Sequence, residues 1–564
     1  MQRGMQPRST PVNSIALWGQ SIGNWLWIVT IVGLAIVLSS PIWAILGGLW
    51  VDSGEVWQNL ATTVLPTYVM NSLWLMVGVG VGVTAIGTGT AWLVTLCRFP
   101  GRRLFEWALL LPLAAPSYIL AYTYTELLDY YGPIQTQLRQ LFGWESAADY
   151  WFPNVRSLPG AILMLTLVLY PYVYLIARSA FLTQSVVTLE ASRSLGCNPW
   201  QSFFRVAIPL ARPAIIAGLS LALMETLNDF GTVEFFSVQT FTTGIYRTWF
   251  DMGEQGAALQ LALCLLGFIL VLIVLERLSR GQAKYYQTAN RIQDLSRYSL
   301  GWGRSLLAWI ACGVPLTLGF LVPAGLLAHL TWINREIAFD SQFIDYAQHS
   351  FGLSLMTAGI AMTIAVVMNY GKRLHSTWIT QVSTQVASLG YAVPSAIVVI
   401  GILMPLGKVD QAIGAWLETH WSITTGLLVS GTVTALIFAY IVRFLAVAMN
   451  SVEASLTNIK PSLDEAARSL GEGWLGTLWR VHIPLLRSGL LTAILLVFVD
   501  VMKELPATLI VRPFNFDTLA VRVYNLAADE RLAEAAGSAL AIVVVGLVPV
   551  ILLSWQMTRS RQVQ

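Results

Sequence analysis

The sequence predicts an all-α polytopic membrane protein of about twelve transmembrane helices, built as two tandem six-helix repeats. Three observations carry that prediction. Of 564 residues, 56% are hydrophobic and only 11% charged, with a mean hydropathy of +0.65. A soluble domain carries roughly a quarter charged residues, so most of this surface must face lipid. Apolar runs recur at lengths near the ~20 residues that cross a hydrocarbon core of about 30 Å. Finally, one unusually polar passage, EASRSLGCNPWQSFFRVAIPL from Glu190, returns as EAARSLGEGWLGTLWRVHIPL from Glu465, 275 positions on.

The apolar runs lie near 26–50, 68–97, 104–126, 157–182, 213–235, 256–277, 305–330, 350–371, 381–405, 423–448, 486–510 and 536–557. Glycine and proline interrupt several of them, which membrane helices tolerate when neighbours satisfy the freed backbone groups. The first run is long, follows a polar segment and lacks a small-residue cleavage site, so a retained span is expected rather than a signal peptide. Orientation follows from the loop cations. With the N-terminus inside, 22 of the 33 Lys and Arg fall on the cytoplasmic side and 8 on the other. Arg178, Arg443 and Lys503 fall within spans or at their ends. Both termini are expected in the cytoplasm, and the basic residues serve topology rather than nucleic acid. Cys97, Cys197, Cys264 and Cys312 form no CxxC pair, and the five histidines show no zinc-type spacing.

The repeat covers about half the chain. Pro116-Ser117 returns as Pro394-Ser395, and METLNDFGT aligns with VDVMKELPAT, placing Glu225 on Asp500 and Asp229 on Glu504. Six spans per half is an even number, so both copies enter the membrane in the same direction. Such parallel repeats are related by a pseudo-twofold axis along the membrane normal.

The duplicated passage lies in the cytoplasm between the fourth and fifth spans of each half. It reads as two short helices around a turn. Glu190 sits near a helix start, where the dipole favours a carboxylate. Gly196 supplies a left-handed helix end, Asn198-Pro199 an N-cap with proline at the first helical position, and Pro209 the close of the segment. In the second copy Gly473-Trp474 replaces Asn198-Pro199, so a looser turn is expected there.

These residues resemble the EAA loop of ATP-binding cassette importer permeases, E-A-A-x-x-L-G-x(n)-P, with Ser192 standing where Ala467 stands in the second copy. The resemblance implies a type I importer-like arrangement. Its first permease repeat would span 1–295 with a coupling loop at 183–212, and its second 296–564 with a coupling loop at 449–487. It implies coupling of two cytoplasmic ATPase subunits through Glu190, Ala191, Leu195, Gly196, Phe203 and Pro209, and through Glu465, Ala466, Ala467, Leu470, Gly471 and Pro484. Small residues permit close approach, and apolar ones fill a groove.

A phosphate loop would read G-x-x-x-x-G-K-[ST]. The only Gly-Lys pairs, Gly371-Lys372 and Gly407-Lys408, do not fit. No cofactor is expected on this chain, with ATP and magnesium on the partner, and the chain is expected to be a transport subunit rather than an enzyme.

Charges inside a bilayer are costly and face a bundle interior or a watery cavity. Glu225, Asp229, Asp500 and Glu504 are the candidate translocation-path residues. Spacing of four puts each pair on one helical face, toward the outer half, and four carboxylates suit a cation. The alternative is structural pairing, with Lys503 on Asp500. The runs LNDFGTVEFFSVQTFTTGIYRTWF and MKELPATLIVRPFNFDTLAVRVY resemble ferric iron importer permeases of the fused, twelve-span kind. That resemblance implies a bacterial inner membrane location and ferric iron delivered by an extracytoplasmic binding protein. A thiamine or other small-solute permease, and a proton-coupled secondary transporter, are the competing readings. Tyr118, Tyr122, Tyr124, Tyr130 and Tyr131 are expected as an interfacial aromatic belt, although phenol oxygen also suits a hard ferric ion.

Overall fold

A computed structural model describes residues 14–50, 54–183, 194, 196, 198–280, 298–424, 426–457 and 459–562. Twelve spans are labelled in chain order. The first half holds α1 (Ser14–Gly47), α2 (Leu65–Leu96), α3 (Ser117–Leu128), α4 (Leu158–Thr183), α5 (Ile208–Asn228) and α6 (Gln255–Arg280). The second holds α7 (Trp302–Leu316), α8 (Ser341–Leu374), α9 (Ser395–Trp421), α10 (Val433–Thr457), α11 (Ile483–Met502) and α12 (Leu532–Gln562). Among the described residues eleven helices are long and apolar enough to cross a membrane, and a bent pair at the third position makes up to twelve.

Both third spans are broken. In the first half Arg102–Ala108 and a short turn at Leu111–Ala114 lead to α3, with a 91° bend. In the second, Trp378–Ala387 and Leu389–Ala392 lead to α9. Pro116 and Pro394 sit just before the upper helices with extended backbone. Proline lacks the N–H that a continuing helix needs, so the chain restarts there. The tenth span begins at Val433, later than its apolar run suggests. Asp410 accepts backbone hydrogen bonds from Leu428, Val429 and Ser430 at 2.8–3.1 Å, which holds the preceding residues as a loop.

The two halves share one backbone plan. Helices α4 and α10 start 275 residues apart, as do α5 and α11. Each of α5 and α11 is preceded by a five-residue π-turn, Phe203–Ala207 and Leu478–His482. Pro209 and Pro484 follow, and a proline ring pushes away the carbonyl four residues earlier, here Arg205 and Arg480, which widens the turn. Pro209 therefore does not close the segment; the helix runs through it from the short helix Pro199–Ser202 into α5.

The cores cross the halves. One joins α2, α4 and the third span of the first half to α7 and α12 of the second. The other joins α8, α9 and α10 to α1 and α6 of the first. Close approach enables this interlacing: a Cβ at Gly401 in α9 would lie 2.3 Å from the Pro41 carbonyl oxygen of α1. Trp309 of α7 likewise donates to the Pro100 carbonyl at 2.9 Å.

Candidate functional site: a cavity between the halves and two surface handles

Where the broken spans of both halves meet, a cavity of about 130 Å³ opens. Its lining follows the repeat. Glu225 faces Asp500, Asn228 answers Lys503, Val168 answers Arg443, and each pair is 275 residues apart. Arg443 lies ten residues along α10, about 15 Å from its start at 1.5 Å per residue.

All four predicted carboxylates line the cavity, but in two different settings. Helices α5 and α11 stop at Asn228 and Met502, so Asp229 and Glu504 lie beyond the helices rather than on the faces of Glu225 and Asp500. Asp229 turns the chain into the short helix Gly231–Phe235. Its carboxylate accepts from the Thr232 and Val233 amides at 3.1 Å each, from Thr232 Oγ1 at 3.0 Å and from Ser117 Oγ at 2.5 Å. Glu504 stands before Pro506–Val511 and accepts from the Ala507 amide at 3.3 Å. Both are helix caps, which satisfy amides that no helix partner reaches.

Glu225 and Asp500 each stand beside a cation. Arg443 Nη2 of the second half approaches Glu225 Oε1 of the first at 3.9 Å. Lys503 bonds Asp500 at 3.0 Å, as the three-residue spacing predicts. Arg443 is 4% exposed at its side chain and donates through Nη1 to the Val393 carbonyl at 2.7 Å, tying it to the break before α9. Asn228 Oδ1 accepts from the Ser395 amide at 2.8 Å, a second tie between the halves at that break. Four carboxylates against two cations leave the lining with a negative balance. Among the described residues no group of three or more His, Cys, Asp or Glu is placed to hold a metal ion.

Sequence reasoning placed Arg443 within a span but gave it no role. Its signal was an arginine in the apolar run VTALIFAYIVRFLAVAMN, since an intramembrane cation calls for a partner. Tyr172 and Tyr391, which also line the cavity, carried no comparable signal. The tyrosine belt is corrected in part. Tyr118, Tyr122 and Tyr124 are 5%, 2% and 6% exposed and belong to the core, with Tyr124 donating to the Leu318 carbonyl; Tyr131 alone of the five is largely exposed.

At the far end from the third-span breaks stand the two polar passages, here called handles. Glu190, Ala191 and Leu195 lie outside the described residues. Gly196 and Gly471 have φ of +83° and +84°, the left-handed backbone expected of them. In the second handle the helix Pro461–Ser469 ends in a Schellman turn, with Gly471 N–H donating to Arg468 and Glu472 N–H to Ala467, both at 3.0 Å. Glu465 and Ala466 are exposed and Ala467 is buried. Asn198 opens the short helix Pro199–Ser202 by accepting from the Gln201 amide at 2.8 Å, whereas Gly473 offers no side-chain cap.

The apolar residues divide by face. Phe203 turns inward against Trp92, ring centres 4.9 Å apart, and its counterpart Leu478 is also buried. Trp200, Phe204, Leu470 and Trp479 are 69%, 60%, 84% and 66% exposed. The second handle is anchored by charge. Asp464 receives Arg373 Nε at 2.9 Å and lies 2.7 Å from His482 Nε2, while Arg373 also donates to the Leu456 and Ile459 carbonyls. Tyr370 donates to the Trp474 carbonyl at 2.8 Å.

Two matching six-span halves around a charged inter-half cavity, each with an apolar handle at one end, define a membrane transport protein. Residues 61–281 and 361–562 both match the family model described as binding-protein-dependent transport system inner membrane component. The chain belongs to that family, as a multi-pass inner membrane protein carrying the permease domain twice. It is 26% identical over 488 residues to the Fe(3+)-transport system permease protein FbpB 2 of Haemophilus influenzae, covering 86% of this chain and 88% of that one. It is 23% identical to the ferric transport system permease protein FbpB of Actinobacillus pleuropneumoniae, over 85% of this chain and 70% of the relative. The molybdenum transport system permease protein ModB of Escherichia coli is 31% identical over 206 residues, which cover 34% of this chain.

Proposed function

We propose that this chain is the complete membrane pathway of an ATP-binding cassette importer for ferric iron. An extracytoplasmic binding protein would deliver the cargo, and two cytoplasmic ATPase subunits would grip the handles. The observation that carries the reading is the duplicated handle, in which a left-handed glycine, a π-turn and exposed aromatic residues recur at one offset. Exposed apolar side chains on short helices suit a groove on a partner. When the ATPase pair closes, the handles are drawn together, and the rigid helices behind them rock the halves about the cavity. The ferric cargo is supported by relatives that match most of the chain, whereas the molybdenum relative matches about a third. Both termini and both handles lie in the cytoplasm in this reading, and ATP with magnesium resides on the partner subunits.

The test is reconstitution with the ATPase and binding protein. Replacing Gly196 and Gly471 together by leucine should abolish binding-protein-stimulated ATP hydrolysis and iron uptake while the chain still inserts. Unchanged stimulation and uptake would remove the handles from the mechanism. Cargo accumulation by the chain alone, without nucleotide and sensitive to a protonophore, would favour a proton-coupled carrier instead.

A further inference from the structure

The cavity holds more than paired charges. Tyr118 lines it, is only 5% exposed, and carries a hydroxyl with no hydrogen-bond partner. A buried hydroxyl left unpaired costs about 1–3 kcal/mol by its lost hydration, a cost that a ligand in the cavity would relieve. Arg443 Nε is buried and unpaired in the same wall. The Glu225–Arg443 contact, at 3.9 Å, is an ion pair without a hydrogen bond, so Glu225 is not committed to that partner. Asp500 and Lys503 are about a quarter exposed at their side chains, within reach of water.

We propose that the cavity is a transient seat for a small, hard cation, with Glu225, Asp500 and Tyr118 as oxygen donors and Arg443 and Lys503 as tethered counter-cations that the cargo displaces. This rests on the importer reading and adds where the cargo pauses. The two carboxylates come from opposite halves at equivalent positions, so they flank the pseudo-twofold axis along which cargo must travel. With no cargo, each carboxylate is neutralised by a side chain that cannot leave, which avoids stranding bare charge in the membrane. With cargo, the arginine falls back on its Val393 hydrogen bond and the lysine turns toward water. Such a seat is weak by construction, because every arriving ion must outcompete two resident cations. Weakness suits a pathway that must release what it binds. At about 130 Å³ the cavity takes an ion with a few waters, each needing roughly 30 Å³.

The experiment titrates the purified chain, in phosphatidylcholine nanodiscs, with terbium(III), a hard trivalent cation whose luminescence is sensitised by nearby tyrosine. Wild type should show one saturable site. Glu225→Gln combined with Asp500→Asn should weaken it at least about tenfold, as loss of two close charges requires. Tyr118→Phe should cut the sensitised signal, while Tyr124→Phe, whose hydroxyl serves Leu318, should not. Arg443→Gln should tighten terbium, because a competitor has been removed. Equal binding by wild type and the double carboxylate variant, at equal thermal stability, overturns the seat. Weakening by Arg443→Gln overturns the displacement. Iron uptake by the reconstituted wild-type transporter is measured in parallel. If the terbium pattern holds and iron uptake is absent, the seat stands and the ferric assignment falls.

Discussion

The first and second halves repeat each other's backbone and differ in chemistry. Where α4 offers Val168 to the cavity, α10 offers Arg443; where α5 ends on Asn228, the residue just after α11 is Lys503. Asp229 is enclosed by four hydrogen bonds, while the carboxylate of its counterpart Glu504 accepts from the Ala507 amide. The first handle rests on Trp92 and Phe203, the second on Tyr370, His482, Asp464 and Arg373. A protein assembled from two identical subunits cannot place both cations on one side of its axis. Fusion of the halves permits it, and this chain has used that freedom at the cavity while keeping the order of its helices and a break in each third span.

The largest test of that asymmetry is Arg443→Ala. Removing one partner of a fully buried pair costs about 3–5 kcal/mol; the Glu225 side chain is about a quarter exposed and 3.9 Å away, so the loss should be smaller than that, and the thermal midpoint in detergent should still fall. Arg443→Ala with Glu225→Ala should recover much of the loss, whereas Val168→Ala, the symmetry-related change, should cost only about 1.6 kcal/mol, two carbons at about 0.8 kcal/mol each. A smaller contrast is expected at the caps. Asp229→Ala strands two amides and two hydroxyls and should cost about 2 kcal/mol, against about 1 kcal/mol for Glu504→Ala, in line with cap substitutions elsewhere. Equal losses would mean the two caps are equivalent after all. The smallest effect tests where the halves agree. Gly196→Ala and Gly471→Ala, at nearly the same φ, should each cost about 1 kcal/mol. A clear difference between them in thermal unfolding would show that the handles are not conformational twins.

Much of this was legible in the sequence because the responsible signals are local. Hydropathy gave the spans, an even span count gave the parallel repeat, and Gly196 and Gly471 gave the left-handed turns. The cavity was legible only in part. Glu225 and Asp229 read as one helical face because nothing in METLNDF forbids another turn of helix. The break comes from Asp229 capturing the amides of Thr232 and Val233 and the hydroxyl of Ser117, 112 residues away. The partners of Arg443 come from separate spans, which periodicity within one span cannot register. Tyrosines that read as a belt are core because chain remote in sequence packs on them: Phe235 meets the Tyr122 ring, and Leu318, in the turn after α7, receives the Tyr124 hydroxyl.

That crossing of first and last spans between the cores has a consequence for how the protein can be made. Severing the chain after α6 would yield two pieces, neither able to bury its own apolar faces. The first would lack the arms that wrap α2 and α4, and the second those that wrap α9. Each piece expressed singly should be degraded, and the two together should reassemble, so the unit on which quality control acts is the woven pair rather than the repeat.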